Sequence, residues 1–263
     1  MTTGQSLMQG KRGLIMGVAN DHSIAWGIAR TLAEHGAELA FTYQDENFEK
    51  RVRPLMESVG STIATQCDVG DEKTIDKTFD VIGETWGSLD FVVHAIAFSD
   101  KSELKGRYLD TTRENFTRSL EISCYSFTAV AKRAAALMND GGSILTLTYA
   151  GSRRVMPNYN VMGVAKAALE ASTRYLAADL GPDGIRVNAI SAGPMRTLAG
   201  AAIGGARFVL KWQAENAPLR RSVTLDEIGG AALFLLSDLG MGTTGETVHV
   251  DAGYNIVGMA APG

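Results

Sequence analysis

Tyr159 and Lys166 have the types and the spacing of a catalytic pair. Their separation of seven residues is close to two turns of an α-helix, so both side chains share one face. A phenol beside an ammonium group makes a proton donor, because the positive charge favours the phenolate and lowers the tyrosine pKa from about 10. The alternative is a half-buried tyrosine next to a solvated lysine, since any long helix supplies such a spacing by chance.

The position of this pair in the chain favours the catalytic interpretation. It follows an apolar run at residues 143–148, and an early apolar segment at residues 14–16 leads directly into Gly17. Gly17 allows a tight turn, and Ser23 is expected to cap the helix that follows. A pyrophosphate at that helix N-terminus would meet free N–H groups and the positive end of the helix dipole. The turn lacks the G-x-G-x-x-G pattern, so an ordinary strand–helix loop with a capping serine is the alternative.

The residues that follow the next two strands bear on the choice of cofactor. In dinucleotide folds the end of the second strand carries an acid for NAD or a nearby arginine for NADP. Gln44 is neutral and has no basic residue directly beside it, although Lys50 and Arg51 on the next helix stand within conceivable reach of a 2′-phosphate. Asp68 is placed either to accept from the adenine amino group or to begin a helix. We therefore expect NADH as the cofactor.

Short apolar segments alternate with segments of helical spacing along the chain, which predicts a parallel sheet covered by helices on both faces. We expect an α/β, Rossmann-type doubly wound fold with strands at 14–16, 38–43, 62–67, 91–96, 143–148, 186–190 and 247–250. Helices are expected from residue 24 to a stop at Gly36, and over 46–59, 113–138, 159–180 and 225–236. The sequence contains no linker or repeat, so we expect a single domain over residues 1–263.

Composition excludes several classes of protein. The 263 residues are 45% hydrophobic, enough for a sizeable core, and the net charge of -4 argues against a nucleic-acid partner. The sequence has no apolar run long enough to span a bilayer and no signal-peptide pattern, which predicts a cytoplasmic protein. Cys67 and Cys124 give no disulfide framework or zinc spacing, and the four histidines are scattered, so we expect no metal.

Several motifs together resemble one family. Two motifs resemble those of the divergent short-chain dehydrogenase/reductases: Gly17-x5-Ser23-x-Ala25 and Tyr159-x2-Met162-x3-Lys166. The bacterial NADH-dependent enoyl-[acyl-carrier-protein] reductases of type II fatty-acid synthesis are similar to this chain at 37–44, 66–69, 157–163, 186–194, 196–199 and 248–251. The resemblance extends over roughly residues 10–257, and several motifs in combination are far more specific than one.

This resemblance implies a role for each matching residue. Tyr159 is the expected catalytic phenol, Tyr149 a second active-site tyrosine near the substrate, and Lys166 serves both catalysis and the cofactor. The implied cofactor-binding residues are Gly17, Ser23, Ile24, Gln44, Asp68, Val69, Ile96, Lys166, Met195, Arg196, Thr197, Leu198 and Ala199. The implied substrate-binding residues are Ser99, Tyr149, Met162, Ile203 and Phe208. A segment at about 195–216 is expected to move as a substrate lid, the alternative being a plain surface loop with one helical turn.

The resemblance also implies a reaction and its partners. Hydride would reach the β-carbon of a trans-2-enoyl thioester carried on acyl carrier protein, while Tyr159 donates a hydrogen bond to the developing enolate. A homotetramer is implied, with residues 113–138 and 159–180 at the subunit interface. One alternative is a 3-ketoacyl or other carbonyl reductase of the same superfamily, which places a serine where Tyr149 stands. A non-catalytic dinucleotide sensor is another alternative, but it needs no Tyr159–Lys166 pair.

Overall fold

The computed structural model describes residues 6–198, 200 and 204–259. Its strands form one parallel sheet with the order β3-β2-β1-β4-β5-β6-β7. The strands are β1 Arg12–Met16, β2 Glu38–Tyr43, β3 Ile63–Gln66, β4 Phe91–His94, β5 Gly142–Thr148, β6 Ile185–Ala192 and β7 Thr247–Val250. The helices are α1 Ile24–Glu34, α2 Glu46–Ser58, α3 Glu72–Trp86, α4 Arg113–Leu120, α5 Ser126–Ala135, α6 Asn160–Leu180, α7 Ala206–Asn216 and α8 Leu225–Leu236.

The two faces of the sheet are each buried under a layer of helices. Along β1, side chains alternate between the faces, as the period of two in a strand requires. Ile15 packs into a cluster with Ile28 of α1, whereas Leu14 and Met16 pack on the opposite side with Phe127 of α5. Because each face has its own apolar cluster, the strands are apolar at successive positions, and the predicted doubly wound fold is confirmed.

The predicted elements agree with the structure except in three places. The helix expected over 113–138 is divided by a π-helical segment, Glu121–Tyr125, and its last part ends at Ala135. Helix α3 was not predicted, although Asp71 caps its first turn and Gly87, with φ of 71°, ends it. The lid segment contains α7, a helix of 11 residues, which the sequence did not predict. The residue that caps this helix is therefore Asp71, and not Asp68, for which a helix start was one of the two expected roles.

Two observations concern what the described part of the chain lacks. Within residues 6–198, 200 and 204–259, no helix is long and apolar enough to cross a membrane. Over the same ranges, no three His, Cys, Asp or Glu side chains gather closely enough to hold a metal ion. Cys67 is a buried free thiol and Cys124 is a half-buried one.

The sheet order places a crevice where the connections change direction. Strand β1 lies between β2 and β4. After β1 the chain adds β2 and β3 on one side of β1, and it then crosses to the other side of β1 to add β4. In open parallel sheets, ligands bind outside the carboxyl ends of the strands at this switch point. Met16 ends β1 and pairs with His94, which ends β4. The site is therefore expected just beyond these two residues.

Candidate active site

A cleft with a volume of about 1640 Å³ lies at this edge of the sheet. It is larger than the roughly 300–1,000 Å³ of a pocket for one small ligand, so it has room for a dinucleotide and a second molecule. Most of the predicted site residues line it: Gly17, Ser23, Ile24, Gln44, Asp68, Val69, Ile96, Ser99, Tyr149, Tyr159, Met162, Lys166, Met195, Thr197 and Leu198. The structure thus brings together residues that are up to 181 positions apart in the sequence, from Gly17 to Leu198.

Two of the predicted residues lie outside the cleft wall. The side chain of Arg196 is exposed and is not part of the wall. Phe208 is 62% exposed, and its ring stacks on Trp212 with centroids 5.9 Å apart. Its expected substrate contact is therefore not seen. Ala199 and Ile203 fall outside the described residues.

Helix α7 faces the cleft with residues that the sequence did not predict. Ala206, Val209 and Leu210 line the wall. These positions are three and four residues apart and share one face of the helix, whereas Phe208 projects from another face. The cleft therefore has an apolar wall at α7, but the side chains that form it are Ala206, Val209 and Leu210 rather than the expected Phe208.

The turn after β1 is shaped for close approach by a phosphate. Gly17 has φ of 95°, and a Cβ built on it would lie 2.1 Å from the carbonyl oxygen of Ala95, so only glycine fits. Ser23 occupies the N-cap position of α1, but its Oγ accepts from the N–H groups of Ala19 and Asn20, both at 3.0 Å. The expected side-chain cap is therefore wrong, because the hydroxyl closes the turn instead. The first N–H groups of α1 remain for an anion.

The opposite end of the cleft is formed where β2 and β3 end. Gln44 and Asp68 line it, and Phe48 of α2 lies in the same wall. The guanidinium of Arg51 sits over the Phe48 ring, 5.9 Å from its centroid. Among the described wall residues from β2, α2 and β3, none is Lys or Arg. A neutral glutamine without a basic neighbour in the wall suits a ribose 2′-hydroxyl better than a 2′-phosphate.

Tyr159 and Lys166 are both buried, and both line the cleft. Burial raises the pKa of Tyr159 above its ordinary value, and neighbouring Tyr149 adds to the rise. The expectation that Lys166 lowers this pKa is therefore wrong, because desolvation of the phenolate dominates. Lys166 Nζ donates to the carbonyl oxygen of Leu147 at 2.7 Å, and burial lowers the lysine pKa to about 8. At neutral pH the site thus holds a protonated phenol and a cationic lysine.

Tyr149 completes the polar end of the cleft. It follows the last residue of β5, and its ring meets that of Tyr159 edge-on with centroids 5.1 Å apart. Burial raises the pKa of Tyr149 to about 12. Leu104 and Met162 pack in the same small cluster as Tyr159, and Tyr149 packs against this cluster. Two neutral phenols therefore stand beside an apolar lining, an arrangement that can hold an oxygen atom next to an alkyl chain.

Ser99 contributes a hydroxyl to another part of the wall. Its Oγ accepts from Ser119 Oγ at 2.9 Å and from Asn115 Nδ2 at 3.2 Å. The amide oxygen of Asn115 also accepts from the backbone N–H of Asp100 at 2.9 Å. These bonds tie the loop after β4 to α4, so the hydroxyl of Ser99 belongs to an ordered polar network at the cleft.

Two asparagines that the sequence analysis did not select flank Tyr159. Asn158 has φ of 58° and Asn160 has φ of 33°, a region in which asparagine is the most tolerated residue after glycine. Asn158 Nδ2 donates to the carbonyl oxygen of Gly204 at 2.7 Å, and Asn160 Nδ2 donates to that of Glu103 at 3.0 Å. The pair therefore ties the Tyr159 backbone to the segments on either side of the cleft. The signal in the sequence was the Asn-Tyr-Asn pattern itself.

The chain is similar to several known proteins in sequence and in fold. The sequence model of the family described as "Enoyl-(Acyl carrier protein) reductase" matches residues 17–255. A protein of Rhizobium meliloti named enoyl-[acyl-carrier-protein] reductase [NADH] 2 is 68% identical over 96% of this chain and 94% of that protein. The enoyl-(acyl-carrier-protein) reductase of Anaplasma phagocytophilum, crystallised with NAD, is 61% identical, with a TM-score of 0.95 over 98% of this chain and 99% of that one. The Bacillus cereus enoyl-acyl carrier protein reductase, crystallised with NADP+ and an indole naphthyridinone, is 50% identical, with a TM-score of 0.95 over 97% and 100%.

Proposed function

The chain belongs to the enoyl-(acyl carrier protein) reductase family, and we propose that it reduces trans-2-enoyl-[acyl-carrier-protein] to acyl-[acyl-carrier-protein] with NADH in type II fatty-acid synthesis. The observation that carries this proposal is the edge-on pair of Tyr149 and Tyr159 in a cleft that buried Lys166 also lines. Tyr149 lies at the position where the carbonyl reductases of the short-chain dehydrogenase/reductase superfamily have a serine. The site therefore fits an enoyl thioester better than a ketone.

The residues of this chain stabilise charge rather than form a covalent bond. NADH, when bound, supplies the hydride that reaches the β-carbon of the enoyl thioester. Tyr159 donates a hydrogen bond to the thioester oxygen, where negative charge develops as the hydride adds to the β-carbon. Uptake of one proton at the α-carbon then converts the enolate to the acyl product. Because burial raises its pKa, the phenol keeps its proton at neutral pH and remains a donor throughout. Lys166 stays cationic below about pH 8 and holds the nicotinamide ribose.

NADH would bind along the carboxyl edge of the sheet. The turn at Gly17 and the free N–H groups of α1 would hold its pyrophosphate. Gln44, Asp68 and Val69 would hold the adenosine half. The nicotinamide half would be held by Ile96, Lys166, Met195, Thr197 and Leu198, which also line the cleft. The close approach enforced by Gly17 is the observation that supports this placement.

The acyl chain lies in the apolar part of the cleft under a lid. Met162, Leu104 and Met156 cluster with Tyr159, and Val209 and Leu210 of α7 line the same cleft. The lid comprises residues 195–216 of the single domain and closes over the acyl chain to exclude water. The hydrogen bond from Asn158 to Gly204 supports this role, because it joins the segment to the residue next to Tyr159.

Acyl carrier protein presents the thioester, and the enzyme acts in the cytoplasm as a homotetramer. Exposed aromatic residues on the two long helical regions support the assembly. Tyr125 is 52% exposed beside α5, and Tyr175 of α6 is 75% exposed. Tyrosine is enriched in protein interfaces because it combines apolar area with a polar group. Sedimentation of the purified protein would give a tetramer, and a monomer would contradict this part of the proposal.

The direct test is a substrate and cofactor panel on the purified protein. Cofactor absorbance is followed with a trans-2-enoyl thioester and with the matching 3-ketoacyl thioester, each with NADH and with NADPH. Rapid oxidation of NADH is expected with the enoyl thioester, with slower use of NADPH and little turnover of the ketone. Preferred turnover of the 3-ketoacyl thioester would contradict the proposal and assign the protein to the carbonyl reductases.

A further inference from the structure

Glu170 is a buried carboxylate close to the active site that the reaction described above does not use. It is 5% exposed and lies one helical turn after Lys166 on α6. Burying a carboxylate is costly unless hydrogen bonds and opposite charge compensate for the lost water. A charged Glu170 therefore needs hydrogen-bond donors around its carboxylate, and three side chains donate to it.

The donors come from both ends of the short turn that carries Tyr149. Thr148, the last residue of β5, donates its hydroxyl to Glu170 Oε1 at 2.8 Å. Ser152, which ends the 3-10 turn Ala150–Ser152, donates to the same oxygen at 2.5 Å. Arg153 Nε donates to the other oxygen, Oε2, at 3.2 Å. A single carboxylate thus holds the residues before and after Tyr149.

Glu170 also acts on Lys166. The lysine donates to the carbonyl oxygen of Leu147, so α6 is joined to β5 at two consecutive residues, Leu147 and Thr148. Burial lowers the pKa of Lys166 to about 8, while Cys124 of the π-helical segment and, after it, Glu170 oppose that fall. Among the described residues, buried His94 of β4 is affected by Lys166 in turn, because the charge of the lysine lowers the histidine pKa.

His94 does not compensate for Glu170. Its pKa is lowered to about 3 by burial and by the charge of Lys166, so it is neutral across the working range. Its ring nitrogens are engaged with Ser126 Oγ at 2.9 Å and Thr146 Oγ1 at 3.4 Å. Tyr159, at the N-terminal end of the same helix, is also neutral because its pKa is raised. Glu170 is therefore the nearest carboxylate on α6 to offset the charge on Lys166.

We propose that Glu170 is a positioning residue for the reduction: its carboxylate fixes the turn that carries Tyr149 against Tyr159 and sets a negative charge one helical turn from Lys166. The inference rests on the proposed function, since Tyr149 and Lys166 have their roles in that reaction. The Glu170 side chain would have two separable effects, one through its hydrogen bonds and one through its charge. The hydrogen bonds set the geometry of the tyrosine pair, and the charge sets the pH at which Lys166 loses its proton.

Glu170→Gln separates charge from shape. The amide keeps the length of the side chain and an oxygen that accepts from Thr148 and Ser152. It removes the negative charge and, with it, the oxygen that accepts from Arg153 Nε. We expect kcat/KM for the enoyl thioester to fall by about 10-fold, less than the ~100-fold cost of a 1 Å misplacement of reacting groups. The alkaline limb of the pH profile should move to lower pH by about one unit, since a carboxylate one helical turn from Lys166 favours the charged form of the lysine.

Ser152→Ala provides the complementary variant. It removes one donor to the carboxylate but leaves the charge in place, so kcat should fall while the alkaline limb stays where it is in the wild type. Asp179→Asn is the matched control, because it removes an exposed carboxylate from the same helix away from the cleft. It should retain the wild-type rate and pH profile.

A loss of rate in Glu170→Gln with an unmoved alkaline limb would overturn the charge role, and an unchanged rate in both variants would overturn the positioning role. The pH dependence of NADH affinity, followed by tryptophan fluorescence, supplies a readout that needs no turnover. Weakening of NADH binding should begin about one pH unit lower in Glu170→Gln than in the wild type. Absence of enoyl turnover in the wild type would contradict the proposed function, whereas coincident NADH-binding profiles would contradict the inference about Glu170.

Discussion

The ring of Tyr149 meets the ring of Tyr159 edge-on, with centroids 5.1 Å apart and planes inclined by 68°. Tyr149 comes from the end of β5 and Tyr159 from the start of α6, so the contact joins the sheet to the helix that carries Lys166. Edge-to-face pairs of this kind contribute about 0.5–1.5 kcal/mol beyond the area they bury. The contact therefore restrains the phenol that we propose to act on the substrate.

Two replacements of Tyr149 should distinguish the contribution of its ring to the rate from that of its hydroxyl. Tyr149→Phe keeps the edge contact, so we expect kcat to fall by less than about 10-fold, whereas Tyr149→Ala removes the support of Tyr159 and should cost about 100-fold. Steady-state kinetics with a trans-2-enoyl thioester measures both. Equal losses in the two variants would mean that the hydroxyl, and not the ring contact, is what the reaction requires.

The pH dependence of the reaction should report on Lys166 rather than on Tyr159. Lysine is charged when protonated, and burial lowers its pKa to about 8, so the cation is lost as the pH rises through that value. The pKa of Tyr159 is raised, so the phenol keeps its proton over the same range. We expect kcat/KM to decline above about pH 8 in the wild type.

The residual activity of Tyr159→Phe provides the check on this assignment. It should decline above the same pH as the wild type, because Lys166 is still present in that variant. A profile that becomes flat when the phenol is removed would instead assign the alkaline limb to Tyr159.

Gly17 should be intolerant of any side chain. Its φ of 95° already disfavours other residues, and an added Cβ would lie 2.1 Å from the Ala95 carbonyl oxygen. Gly60 is the matched control, since it has φ of 75° but open space around the added Cβ among the described residues. Gly60→Ala should lower the free energy of unfolding by about 1–2 kcal/mol through backbone strain alone.

Gly17→Ala should lower the free energy of unfolding by more than Gly60→Ala and should also weaken NADH binding. Urea unfolding and fluorescence titration with NADH measure the two effects. If the two variants have equal stability and equal NADH affinity, the backbone does not approach Ala95 as the structure has it.

The hydrogen bond from Asn158 to Gly204 should tie the proposed lid to the backbone next to Tyr159. Asn158→Gly suits φ of 58° but removes the amide that donates to Gly204, so backbone strain is avoided and only the hydrogen bond is lost. We expect KM for the enoyl thioester to rise by several-fold, with a smaller change in the affinity for NADH. Asn158→Ala adds strain to the same loss and should have the lower Tm. An unchanged KM in Asn158→Gly would contradict the role of this contact in closure.

The sheet could be predicted from the sequence because buried parallel strands are apolar at successive positions. Strands β2 and β7 have the predicted bounds, as does α8. The missed helix α3 had readable signals, an Asp71 cap and a Gly87 stop, with Ile75 and Phe79 on its buried face. The π-helical segment Glu121–Tyr125 was not predicted, because it shifts the apolar spacing by only one position, no more than the irregularity of an ordinary amphipathic helix.

The cleft was predictable where residues follow the ends of parallel strands, since those ends meet at one edge of the sheet. Gly17, Gln44 and Asp68 are examples, and all three line the cleft. Phe208 was not predictable, because its direction depends on the phase of α7. The pKa of Tyr159 was predicted in the wrong direction, since spacing reveals the neighbouring Lys166 but not the depth of burial that outweighs its charge.

We propose that the neutral phenol of Tyr159 stabilises the enolate formed when an enoyl thioester is reduced. The decisive experiment compares wild type and Tyr159→Phe by following NADH oxidation with a trans-2-enoyl thioester at saturating cofactor. We expect kcat to fall by about 100- to 1,000-fold, as for removal of one donor to a developing oxyanion, while NADH affinity is retained. A kcat for Tyr159→Phe within a few-fold of the wild type would show that the phenol does not have this role.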